Sequence, residues 1–311
     1  MITFLFLGIV FLVSGFINEK EEERGFFDSF KDKYSIHALP LPDTLEFAGE
    51  TVPVNYFDVR ESLDRELLVN TYWQSHTLLL LKRGNRHLAE IESILKKHEV
   101  PVDMKYIPVI ESELTNAVSP AGAVGVWQFL EGTAKDYGLE VNNEVDERYH
   151  IKKSTEAACN FLKDAYEKFG SWTLAAASYN FGRKAVSRQL KRQGADSYYN
   201  LVLNEETARY VYRILAIKLI FENPDRYGFN FKFDDLYHSI PTKQVELDSS
   251  VKDFPAFAAE QGINYKLLKI FNPWLRQNYL TNKRGKTYLI EIPEENYRDY
   301  QNILNTAKQS K

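Results

Sequence analysis

A mainly α-helical body followed by a small α+β domain is the fold class this sequence predicts, and three observations predict it. Apolar residues recur at helical spacing over most of 58–222. Helix stops (Gly170, Gly182, Asn223-Pro224) punctuate that stretch, and after Tyr227 the pattern turns to strand-like alternation. At 311 residues the chain has room for one large domain, or for two ordinary ones with extensions. Its 44 % hydrophobic and 14 % aromatic content belongs to a core-forming protein. The net charge of −4 comes from interspersed acids and bases, so no nucleic-acid surface is expected. The single cysteine, Cys159, excludes an intramolecular disulfide framework.

In chain order, Ile2 to Ile17 is apolar apart from Thr3, Gly8, Ser14 and Gly15, and a charged run, Glu19 to Arg24, follows. At ~1.5 Å rise this is short for a bilayer span but suits the apolar region of a signal peptide. Residues 1–17 are therefore read as a signal peptide or N-terminal anchor of an exported protein, with membrane association through that segment. Residues 18–85 are read as an extended lead-in, to about 57, and an N-terminal helix. Asp58 and Glu61 form a capping-box pattern before Val59, Leu63 and Leu67, and Leu78–Leu81 reads as a helix end before Gly84-Asn85.

The main domain is placed at 86–227. Helices are expected over 86–98, over 103–114 with Pro108 near the first turn, and from caps at Ser154 and Thr155 to Phe169. Two more follow, Trp172 to Tyr179 and Glu205 to Glu222. The small domain is placed at 228–311. It holds strand-like runs at Phe229–Phe233, around Val245 and at Tyr288–Ile292, with helices at 253–261 and 264–271 between the last two.

Three short segments could carry chemistry, and each alone has a bland reading. Glu111-Ser112 ends an apolar helix, where a lone Glu is more often an exposed-face residue. Ser119 to Phe129 holds Gly122, Ala123 and Gly125, which allow close backbone approach, and Trp127-Gln128; it could equally be a Gly-rich turn into a packed helix. Ala177 to Gly182 puts Tyr179 and Asn180 at a helix end, as an ordinary packed C-terminus would.

Together, in this order and at this spacing, the segments resemble the catalytic domain of the soluble-lytic-transglycosylase family. That family uses a goose-type lysozyme-like fold, in the lysozyme-like α+β superfamily. Its marks are Glu-Ser, Ser-x-x-Gly-Ala-x-Gly-x-x-Gln and Ala-x-Tyr-Asn-x-Gly. They fall here on Glu111-Ser112, Ser119 through Gln128, and Ala177 through Gly182. Trp127 and the Asp146-Glu147-Arg148 element look like the membrane-bound lytic murein transglycosylase D type. The gap from Glu111 to Ser119 is one residue shorter than usual, and Ser178 stands where Ala is common.

The resemblance implies a periplasmic or envelope enzyme that cleaves the MurNAc-GlcNAc β-1,4 bond of peptidoglycan glycan strands. It implies 1,6-anhydromuramyl products, a single acid/base, Glu111, and no metal or other cofactor. It further implies sugar contacts from Ser119, Gln128, Tyr179, Asn180 and Glu206. A carboxyl group donates a proton only while neutral, and burial among Ile107, Ile110, Val126 and Phe129 would keep Glu111 so. Glu113, two residues on, is expected to point away, while Glu131 is a candidate second carboxylate. Two other readings stay open: a goose-type-lysozyme-like muramidase, and a non-catalytic peptidoglycan-binding protein. The C-terminal domain resembles a degenerate LysM-type module through Leu268–Pro273. Cys159 reads as a small core residue, and His76, His87 and His98 as surface residues without metal spacing.

Overall fold

The computed structural model describes residues 24, 25, 28, 36–296 and 298–309, and the apolar run at 2–17 lies outside them. Among the described residues no helix is long and apolar enough to cross a membrane. The lead-in contains a hairpin that the sequence reading lacks: β1 (Leu45–Phe47) pairs antiparallel with β2 (Glu50–Val52). Ala48 and Gly49, at φ 55° and 80°, make its two-residue turn, the twist such a turn requires. The Ala48 amide donates to Asp103 Oδ2 at 2.8 Å and fastens the hairpin to the body.

Helix α1 (Phe57–Tyr72) starts without a side-chain cap, so the expected capping box does not form. Asp58 lies inside the first turn instead, where its charge favours the positive end of the helix dipole. Helix α2 (Gln74–Lys97) runs through the Gly84-Asn85 stop without a break. Gly84 is buried against Phe221, and a Cβ there would sit 2.5 Å from Phe221 Cε1, so this glycine permits a close helix approach and ends nothing.

The helix expected over 103–114 is a 3₁₀ turn, Val102–Tyr106, followed by the short α3 (Ile107–Ser112). Pro108 occupies its first turn, where a missing N–H costs nothing. Helix α4 (Glu131–Asp136) follows the Gly-rich stretch. Helix α5 (Ile151–Phe169) begins three residues before the expected caps. Ser154 and Thr155 lie within it, their hydroxyls donating back to His150 O (2.9 Å) and Ile151 O (2.7 Å). Gly170 at φ 65° terminates it as expected.

Helix α6 (Trp172–Phe181) is capped twice, by Ser171 and by Glu50 at the hairpin turn, whose carboxylate accepts from the Thr173 amide at 3.0 Å. Helices α7 (Arg183–Gln193) and α8 (Glu205–Glu222) complete the body, and Asn223-Pro224 stops α8. Helix α1 packs along α8 and α5 along α6. Leu63, Leu67, Ile214 and Leu215 are fully buried there, each stabilising the fold by about 1.5–3 kcal/mol. Cys159 is likewise buried in the core.

In the C-terminal region β3 (Thr242–Leu247), α9 (Phe254–Glu260), α10 (Tyr265–Phe271) and β4 (Tyr288–Pro293) follow in the predicted order. The strands pair antiparallel with Val245 opposite Ile290. Phe229–Phe233 forms no strand, because among the described residues no neighbouring strand offers it hydrogen bonds. Helix α11 (Tyr300–Gln309) follows β4. Val124, Val145 and Tyr149 of the body share one apolar core with Trp274, Leu275, Ile290 and Ile292. A backbone bond from Asp146 N to Trp274 O (2.9 Å) reinforces that seam.

Candidate active site

The three motif segments converge on one loop, 117–129, and hold it by its carbonyls. Ser112 donates to Val126 O at 2.7 Å, which ties the Glu-Ser helix to the loop. Tyr179, on α6, donates to Trp127 O at 2.7 Å. Gln128 turns its amide inward, donating to Ala117 O (3.0 Å) and Gly125 O (2.8 Å). Arg148, paired with Asp146 through bonds of 2.9 and 2.7 Å, donates to Gly122 O and Phe129 O, both at 3.2 Å. The Ser119 hydroxyl accepts from Ala123 N at 3.0 Å and closes the turn. Buried Trp127 donates its indole N–H to Thr155 Oγ1 at 2.8 Å. Gly125 is required twice over: φ is 79°, and a Cβ would lie 2.0 Å from Arg148 O.

Against this loop, Glu111 is half-buried in the last turn of α3. Its Oε1 accepts a 2.6 Å hydrogen bond from Tyr210 on α8. Burial, the largest influence, pushes its carboxyl above the usual carboxylate range. The Tyr210 hydrogen bond and the Arg213 charge pull the other way, and the Glu206 charge adds to the rise. Tyr179 and Tyr210 are themselves raised well above the ordinary tyrosine value by burial, so both remain hydrogen-bond donors.

Glu111 lines a groove of about 440 Å³ with Ile110, Glu113, Arg213, Trp73 and His76. A neighbouring groove of about 460 Å³ shares Trp73, His76, Asn70 and Arg213 and adds Glu66, Glu206 and Arg209. Asn180 joins this side by donating to Glu206 Oε1 at 3.1 Å, while its own oxygen accepts from Thr207 at 3.0 Å. Of the six residues singled out in the sequence, Glu111 and Glu206 thus line the grooves. Asn180 orients Glu206, and Ser119, Gln128 and Tyr179 hold the loop.

Glu113 corrects a sequence expectation. Helix α3 ends at Ser112, and Glu113 takes φ 56°, which swings its side chain into the same groove as Glu111. Its carboxylate pairs there with Arg83 at 3.1 Å. Glu131 lies on the first turn of α4, pairs with Lys135 at 2.6 Å and lines neither groove. His76 is a groove residue, not a surface one.

The sequence reading missed Tyr210 and Arg213. With Glu206 they stand at i, i+4 and i+7, one face of α8, so the signal was present. Replacing Tyr210 by Phe removes the bond that favours the ionised form of Glu111. The Glu111 carboxyl should then stay protonated to higher pH, and the alkaline limb of kcat/KM should move up in a pH–rate profile.

Residues 89–202 match the family described as the transglycosylase SLT domain, and residues 243–296 the soluble lytic transglycosylase C-terminal LysM-like domain. The chain carries an SLT transglycosylase domain with a LysM-like domain after it. Over 265 residues it is 31 % identical to membrane-bound lytic murein transglycosylase D of Escherichia coli K12, covering 82 % of this chain and 57 % of the relative. The same protein from Escherichia coli O6:H1 gives the same figures. The chain thus spans little more than half the length of the curated relatives it matches. The structure of an inactive variant of the lytic transglycosylase Slt from Pseudomonas aeruginosa aligns at 20 % identity and a TM-score of 0.37. That alignment covers 49 % of this chain and 26 % of that one. Within the SLT domain, 89–202, lie Glu111, the loop and Tyr179; Tyr210, Arg213, Trp73 and His76 lie outside the matched range.

Proposed function

We propose that this protein is a lytic transglycosylase that cleaves the MurNAc-GlcNAc β-1,4 bond of peptidoglycan, with Glu111 as its single acid/base. The observation that carries this reading is the Glu111 carboxyl, pushed toward its neutral form beside an open groove. A neutral carboxyl protonates the GlcNAc 4-oxygen as the bond from MurNAc C1 opens. The substrate's N-acetyl carbonyl holds the cation. The Glu111 carboxylate then takes the proton of the muramyl 6-hydroxyl, whose oxygen closes on C1. One C–O bond breaks, one forms, and no water is consumed. Such intramolecular attack gains up to ~7–11 kcal/mol from proximity. The other carboxylates considered are engaged: Glu113 with Arg83, Glu131 with Lys135, Glu206 with Asn180. Ser119, Gln128 and Tyr179 serve the substrate through the loop they shape, and Asn180 and Glu206 through the neighbouring groove.

The product decides between this reading and a muramidase. Digests of peptidoglycan should yield new ends lighter by one water and inert to borohydride, read by mass spectrometry before and after reduction. A majority of reducing ends would make the protein a hydrolase, and an absence of new ends a binding protein. The apolar segment at 2–17 and the membrane-bound relative support a place in the cell envelope, reached by export.

A further inference from the structure

Trp73 is the single residue between α1 and α2, and it is 57 % exposed. Its backbone is fixed at both ends, N–H to Val69 O and C=O from Thr77 N, each at 3.1 Å. One face of the ring is already taken by His76, stacked at 3.9 Å with planes 13° apart. His76 is in turn largely enclosed and lies 3.6 Å from Glu113, with Arg83 and Arg213 also close to it. Burial holds its imidazole below the usual histidine value, so the stack is a neutral one at pH 7.

Both grooves are lined by Trp73, the one that holds Glu111 and the one that holds Glu206. Hydrogen-bonding groups from Asn70 and Arg213 ring the same space. A β-1,4-linked N-acetylhexosamine carries its substituents equatorially, leaving faces of axial C–H bonds that suit the negative face of an indole. Its amide and hydroxyl groups spread outward, toward where Asn70 and Arg213 stand.

We propose that Trp73, held by His76, is the stacking platform of a saccharide subsite that the α1–α2 junction adds beside Glu111. Asn70, Trp73 and His76 precede the SLT match at 89–202, so the helical hairpin completes a groove that the matched domain begins. The inference rests on the glycan-cleaving reading of the site.

The test uses the full chain and peptide-free tetrasaccharides of alternating N-acetylglucosamine and N-acetylmuramic acid. In the Glu111→Gln background, Trp73→Ala should weaken binding roughly tenfold, and Trp73→Tyr, which keeps a ring, by about threefold or less. In the active background Trp73→Ala should raise KM by a similar factor with kcat and Tm nearly kept. Glycan should shift indole emission in the parent and not in Trp73→Tyr. Unchanged Kd and KM in Trp73→Ala, beside a wild type that cleaves glycan, would overturn the subsite alone. Equal losses in the Ala and Tyr variants, or a fall in Tm that tracks the fall in activity, would overturn it in favour of a structural role. A wild type that neither binds nor cleaves glycan would remove the proposed function, and the subsite with it.

Discussion

Glu111→Gln should abolish turnover of peptidoglycan, by about 10²–10⁴-fold, while making the protein no less stable at neutral pH. The amide keeps the shape and can still accept from Tyr210, but it has no proton to give. The stability half follows from the direction of the Glu111 shift. With a native pKa above the unfolded one, the native state holds more protons between the two, so stability falls as pH rises through that window. Above the native pKa the loss is complete, and glutamine never incurs it. Thermal melts of both proteins across the carboxylate range and up to neutrality check this: the wild-type Tm should drop relative to the variant as pH rises. A variant that melts earlier at neutral pH, or that still turns over, would remove Glu111 from the role of strained acid.

Gly125→Ala should be the most damaging single-methyl change in the loop. The backbone sits at φ 79°, and the added carbon would meet Arg148 O at 2.0 Å. Left-handed strain and forced overpacking each cost about 1–3 kcal/mol, so roughly 2–6 kcal/mol of stability should be lost. The damage would not stay local, because Arg148 also carries the Gly122 and Phe129 carbonyls. Activity should fall with stability, as read by urea melts and sacculus turnover. Gly122→Ala is the control: it has the same φ of 79° but nothing within 4 Å of the new carbon, so it should cost only the strain.

What the sequence displayed of the site was whatever depends on local backbone. Gly125 and the small residues around it announce a tight loop, and the Glu-Ser and Tyr-Asn segments flank it at helix ends. Hydrogen bonds that cross between elements were hidden. That Ser112 and Tyr179 each hold a loop carbonyl follows only once α3 and α6 are packed. Trp73 and His76 were invisible as groove residues because their place depends on α1 and α2 meeting Arg213 of α8. The fold shows the same division. Helical periodicity and the strand–helix–helix–strand order were readable. Gly84 was misread because a glycine that admits a neighbouring ring looks, in one dimension, like a glycine that ends a helix. Phe229–Phe233 was misread because alternation needs a partner strand to become a strand.

Val124 stands in the loop that Ser112 and Tyr179 hold beside Glu111, yet its side chain is 5 % exposed and belongs to the core built by β4 and Trp274. Heat should therefore melt catalytic and C-terminal portions in one calorimetric transition. Amide exchange at Val124 should follow the global opening rate and not a faster local one. Gene fusions or deletions that trim the chain after Tyr227 would leave Val145, Tyr149 and Val124 facing water together. The LysM-like domain is thus the surface against which the 117–129 loop is cast.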